Sequence, residues 1–176
     1  MVMMLANGLV WLCVMIIAGL AARDDWRRMI IPDQHSLVLL ILFPLAVFSP
    51  AHVSFIPGIL AGLVTLFLGL CLFALKQMGG GDVKLASILA LYTGLNAWPR
   101  FMLLTMLAGG VLALVALYLR RCPDKIPSDS SPESWLGQLK HSPEITLPYG
   151  VAIVFGAFIV LTERLLGPVV AYYLAI

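Results

Sequence analysis

Charge is what this 176-residue chain has least of: 11% of its residues are Asp, Glu, Lys or Arg, and the net charge is +2. Soluble domains carry roughly 25% charged residues. The 11 basic residues are spread along the chain and form no stripe that could follow a phosphate backbone, so no nucleic-acid partner is expected. Cysteine is scarce too. Cys13, Cys71 and Cys122 stand apart with no CxxC pair, which removes a zinc ribbon and a disulfide framework. His35, His52 and His141 fall on different loops or element ends, so neither a metal site nor a cofactor is expected. No internal repeat is evident, and inverted halves mark many transporters.

Apolar residues are abundant. They make up 61% of the chain, and the mean hydropathy is +1.01. Disorder, coiled coil and collagen are excluded. The expected fold is all-α: a polytopic transmembrane bundle with the lipid bilayer as its solvent. One crossing takes about 20 residues. Apolar runs occupy 2–22, 35–48, 55–75, 83–95, 101–119 and 149–161, with an apolar tail at 168–176. They predict about six spans, the second ending near Ser49-Pro50, in one integral-membrane domain over 1–176. The run at 83–95 is short for a crossing. The first run has no basic segment before it and is long for a signal core, so it reads as a retained helix.

Basic residues set the orientation. Arg23, Arg27, Arg28, Lys76, Lys84, Arg120, Arg121, Lys125 and Lys140 fall on one side of a six-span bundle. Arg100 and Arg164 fall on the other. The first side is the expected cytoplasmic one. Residues 120–147 form the extended polar segment, read as a connector loop on that side with a short amphipathic piece around Trp135–Leu139.

Asp24, Asp25, Asp33 and Asp82 lie at the cytoplasmic ends of spans, where ionisable residues carry a functional hypothesis by default. Asp33 follows Ile31-Pro32 and suits a helix start, where an acid complements the dipole. Asp24 sits among three arginines and reads as an interfacial charge. Asp82 follows Gly79-Gly80-Gly81. It fits an N-cap, but three glycines exceed what a cap needs and leave room for another backbone to approach. Asp25 and Asp82 can meet if their helices pack. Two such carboxylates hold one proton between them, so one can activate water while the other polarises a carbonyl.

At these residues the chain resembles a known family. Asp25-Trp26-Arg27-Arg28-Met29-Ile30-Ile31-Pro32-Asp33 is similar to the D-x-R-x-x-x-I-P-[ND] segment of type IV prepilin peptidases. Gly79-Gly80-Gly81-Asp82-Val83-Lys84-Leu85 resembles their G-x-G-D-x-K-L segment, and Pro148-Tyr149-Gly150 resembles the P-[FY]-G that opens their last helix. The motifs occur in family order. The resemblance implies catalytic roles for Asp25 and Asp82, in an aspartic endopeptidase of the bacterial inner membrane. Its substrates would be prepilin or pseudopilin precursors, cut at the cytoplasmic face, with the pilus assembly machinery as a further partner. Gly79, Gly80 and Gly81 would bind the substrate backbone. Long family members carry two CxxC pairs in a region linked to N-methylation, and no such pairs occur here. The compact form resembles the enzymes of tight-adherence (Flp) pili, whose precursors are cut between Gly and Glu. A preflagellin or presenilin-like protease, or a noncatalytic membrane subunit or small transporter, is the alternative reading.

Overall fold

The computed structural model describes residues 2–48, 53–122, 126, 134–141 and 147–174, with side chains described for these except 2–7, 141 and 166–174. Six helices follow in order: α1 (Val2–Arg28), α2 (Asp33–Val47), α3 (Phe55–Ala74), α4 (Gly80–Arg121), α5 (Trp135–His141) and α6 (Tyr149–Leu174). No strand occurs among the described residues. The all-α expectation holds. The predicted end of the second span at Ser49-Pro50 lies outside the described residues, as does most of the polar segment 120–147.

Among the described residues, α3 and α4 are long and apolar enough to cross a membrane. Their outward faces are apolar: Phe67, Leu70, Leu103, Met106, Val111 and Leu114 are all exposed. Such faces suit hydrocarbon rather than water.

The centre of the bundle is the first half of α4, where Leu85, Leu89, Ala90 and Tyr92 are buried. α3 meets it through a stripe of small residues, Gly58, Ala61, Gly62, Thr65 and Gly69. A Cβ on Gly62 would come 2.5 Å from Leu91 Cδ2, and one on Gly69 would come 2.7 Å from Val83 Cγ1. Small residues let two helix backbones approach where no hydrophobic effect drives them together. Trp98 Nε1 adds a 2.7 Å hydrogen bond to Thr65 Oγ1, and the Tyr92 hydroxyl donates to the Leu39 carbonyl of α2.

Within α4 two helices join directly across a kink at Gly94, with φ 66° and ψ 165°. That conformation is open in practice to glycine alone. The break closes the first half of the helix. Arg164 of α6 donates to the freed carbonyls of Tyr92 at 2.8 Å and Thr93 at 3.3 Å. A cation there also answers the negative end of the helix dipole. Residues 96–100 lie outside both apolar runs, 83–95 and 101–119, and include Asn96, Pro99 and Arg100. The backbone stays helical through them. The run at 149–161 and the described part of the apolar tail, 168–174, both belong to α6.

Helix α5 appears where the short amphipathic piece was expected. Trp135 and Leu139 are buried in a small cluster with Ala116 and Ile126, and Trp26 of α1 meets Trp135 with ring centroids 4.6 Å apart.

Candidate active site

Three chain segments meet at one end of the bundle: the end of α1, the start of α4 and the start of α6. Each contributes for a local reason. Asp25 lies in the last turn of α1 and is 5% exposed. A carboxylate is disfavoured at a helix C-terminus. The N-terminus of α6 supplies the compensation. Gly150 N–H donates to Asp25 Oδ2 at 2.8 Å, and the Val151 amide also hydrogen-bonds this carboxylate. The helix start at Pro148-Tyr149-Gly150 thus aims the Gly150 amide at an anion.

Asp82 is the third residue of α4, whose N-cap is Gly79. The N-cap role expected for Asp82 is therefore taken by Gly79. The Asp82 side chain turns back toward that glycine instead, and the Gly79 amide hydrogen-bonds it. This is the return half of a capping box. Oδ1 of Asp82 is buried and accepts no hydrogen bond from the described protein. An unpaired buried polar atom costs about 1–3 kcal/mol, and such atoms occur at sites kept for a reacting partner.

The two carboxylates lie outside the apolar runs 2–22 and 83–95, close enough to sense each other. Burial pushes the Asp25 carboxyl up from 3.8 to about 6, against the opposing pull of the Gly150 and Val151 amides. Burial raises Asp82 to about 7, the Asp25 charge adds to the rise, and the Gly79 and Gly150 backbone opposes it. The Gly150 backbone therefore acts on both. Both carboxyls are thus raised, and together they titrate as a pair that can hold one proton between them.

Of the residues singled out in the sequence, Asp25, Gly79, Gly80, Gly81 and Asp82 gather here, while Asp24 and Asp33 do not join them. Asp24 Oδ2 is 2.9 Å from His35 Nε2. Asp33 Oδ1 is 2.7 Å from Lys84 Nζ in an exposed ion pair. Of the three glycines, none uses the left-handed region. Their missing side chains matter instead: a Cβ on Gly79 would come 3.0 Å from Asp82 Oδ2, and one on Gly81 would come 3.2 Å from Ile31 Cβ.

Gly150 is the residue whose part sequence reasoning missed. Its motif was visible, but nothing in a string of residues tells that its amide reaches back 125 positions to Asp25. A Cβ there would come 2.8 Å from Asp25 Oδ2.

The model of the type IV leader peptidase family matches residues 9–114, a stretch that carries both aspartates and the three glycines but ends before Gly150. No curated protein and no solved structure matches the chain.

Proposed function

The chain belongs to the type IV leader peptidase family, and on that premise we propose that Asp25 and Asp82 are the catalytic pair of an aspartic endopeptidase. Its substrates are prepilin-like precursors, and it removes their leader peptides at the cytoplasmic membrane face. The observation that carries this reading is the pairing itself. A buried carboxylate, Asp25, and a half-buried one, Asp82, come from distant segments to the same Gly150 backbone, and Asp82 keeps a buried oxygen without a partner.

The chemistry follows from the proton count. Asp25 is the ionised member and takes a proton from water as its oxygen attacks the scissile carbonyl carbon. Asp82 is the protonated member and gives its proton to the carbonyl oxygen. Collapse of the resulting diol returns a proton to the amide nitrogen as the C–N bond breaks. The amides of Gly150 and Val151 hold the Asp25 carboxylate in place, so little reorganisation is needed during reaction.

A pilin stem is helical in the membrane, and its peptide bonds are covered by its own hydrogen bonds. The junction must unwind, and its freed N–H and C=O groups then need partners. Gly79, Gly80 and Gly81 are the proposed docking backbone. Gly80 supports this, since a Cβ there would meet Phe73 alone, at 3.6 Å. The resemblance to Flp-type enzymes extends the proposal to precursors cut between Gly and Glu.

The test is cleavage of a purified precursor by the protein in nanodiscs. Asp25→Asn and Asp82→Asn are expected to lower the rate by about 10²- to 10⁴-fold, the usual weight of a general acid or base. Serine reagents and chelators are expected to leave cleavage unchanged. Sensitivity to chelation with an active Asp82→Asn would overturn the two-aspartate reading.

A further inference from the structure

Ile31 belongs to neither helix that carries an aspartate, yet it touches the start of α4 and the start of α6. It is 8% exposed. Its Cβ occupies the space a Cβ on Gly81 would need, at 3.2 Å, and its Cδ1 lies 2.9 Å from where a Cβ on Gly150 would stand. The two glycines therefore form the two walls of a notch, and Ile31 fills it. Gly81 immediately precedes Asp82. Gly150 is the residue whose amide holds Asp25.

We propose that Ile31 is a positioning residue, a spacer wedged between Gly81 and Gly150 that sets the separation of the two carboxylates. The inference rests on the two-aspartate reading above. The local chain is built to keep such a spacer still. Met29, with φ 53°, turns the chain out of α1, and its amide is tied to the Asp25 carbonyl at 2.9 Å. Pro32 follows, with φ −60° and ψ 135°, and a following proline restricts Ile31 to an extended backbone. Isoleucine is itself stiff at χ1 because it branches at Cβ. A rigid side chain on a rigid strap thus transmits the position of the α1 end to both helix starts. This gives Gly81 a second duty: a larger residue there would push against Ile31 even where no substrate is bound.

Filling the notch also keeps water from the carboxylates, which bears on how the test is read. In nanodiscs, cleavage of a purified precursor is followed against substrate concentration and pH for Ile31→Ala, Ile31→Val and Asp82→Asn. Ile31→Ala is expected to lower kcat by about 10- to 100-fold, as small misplacements of reacting groups do, with KM little changed. Its alkaline limb should move to lower pH, because water entering the void relieves the burial that lifts Asp82. Ile31→Val, which removes the δ methyl, should shift the limb less and in the same direction. A mere loss of folded protein would scale activity at every pH and leave the limb where it was. Wild-type kcat and an unmoved limb in Ile31→Ala, with Asp82→Asn inactive, would overturn the spacer role alone. Should Ile31→Ala fail to fold, an unmoved limb in Ile31→Val does the same. An active Asp82→Asn would instead bring down the two-aspartate reading, and the spacer with it.

Discussion

Asp24 and Asp25 are neighbours in sequence with opposite environments. Asp24 faces His35 at 2.9 Å and stays partly exposed, whereas Asp25 is buried against the start of α6. One helical step of about 100° separates them, so only one can point into the bundle. Asp24→Asn keeps a hydrogen-bonding group beside His35 and is expected to retain most cleavage activity. Gly150→Ala is a different matter. Its Cβ would lie 2.8 Å from Asp25 Oδ2 and 2.9 Å from Ile31 Cδ1, so both side chains would have to shift. We expect a loss of kcat of at least about tenfold, seen as slower precursor cleavage at saturating substrate. Wild-type kcat in Gly150→Ala would mean that the Asp25–Gly150 contact does not matter for turnover. Both aspartates were legible in the sequence as acids at span ends, and the family motif selected Asp25 over Asp24. The contact with Gly150 was not legible, because it depends on how α6 packs beside α1.

At the level of elements, small residues decide the architecture. Hydrophobic runs announced the helices well, since composition alone shows where a helix is apolar enough for lipid. The same signal could not tell a break from a gap. The apolar runs part at 96–100, but the chain departs from helical geometry at Gly94, inside an apolar stretch. The reason is visible only in three dimensions, where Arg164 arrives from α6 to bind the carbonyls released by the break. Gly94→Ala must place a Cβ in a conformation that costs about 1–3 kcal/mol. It is expected to lower the melting temperature in detergent by several degrees. Arg164→Met removes the cation from those carbonyls and should also lower it. Unchanged melting in both variants would show that the break needs neither a glycine nor its cap. Segment 120–147 reads as a connector with a short amphipathic piece around Trp135–Leu139, but composition cannot say what that piece packs against. The fold supplies the answer: Trp135 of α5 is buried beside Trp26 of α1 and Ala116 of α4.

For the molecule as a whole, the two carboxylates make both activity and stability depend on pH. Below about 6 both are protonated and no base is left. Above about 7 both are ionised and no acid is left. The cleavage rate should therefore trace a bell with its maximum between these values. Stability follows a different course. Both folded-state values lie above the 3.8 of a free aspartate. Folding thus favours the protonated forms, and that contribution is complete below about 3.8 and is lost as pH rises through about 6 to 7. Asp82→Asn carries no such charge, so at pH 8 it should melt higher than the unaltered protein. The advantage should vanish at pH 4. A variant less stable than the parent at pH 8 would contradict the burial of an ionisable Asp82.

The central claim is that two aspartates act as one unit, and the most direct measurement of it is single-turnover cleavage of a purified prepilin-like precursor in nanodiscs. Asp25→Asn, Asp82→Asn and the double variant are compared with the unaltered protein at the optimum pH. If the pair acts as a unit, each single change should lower the rate by about 10²- to 10⁴-fold, and the double change should lower it little further. All three variants should remain folded by melting temperature. Either single variant cleaving at the parental rate, or losses that multiply as if independent, would contradict a shared catalytic pair.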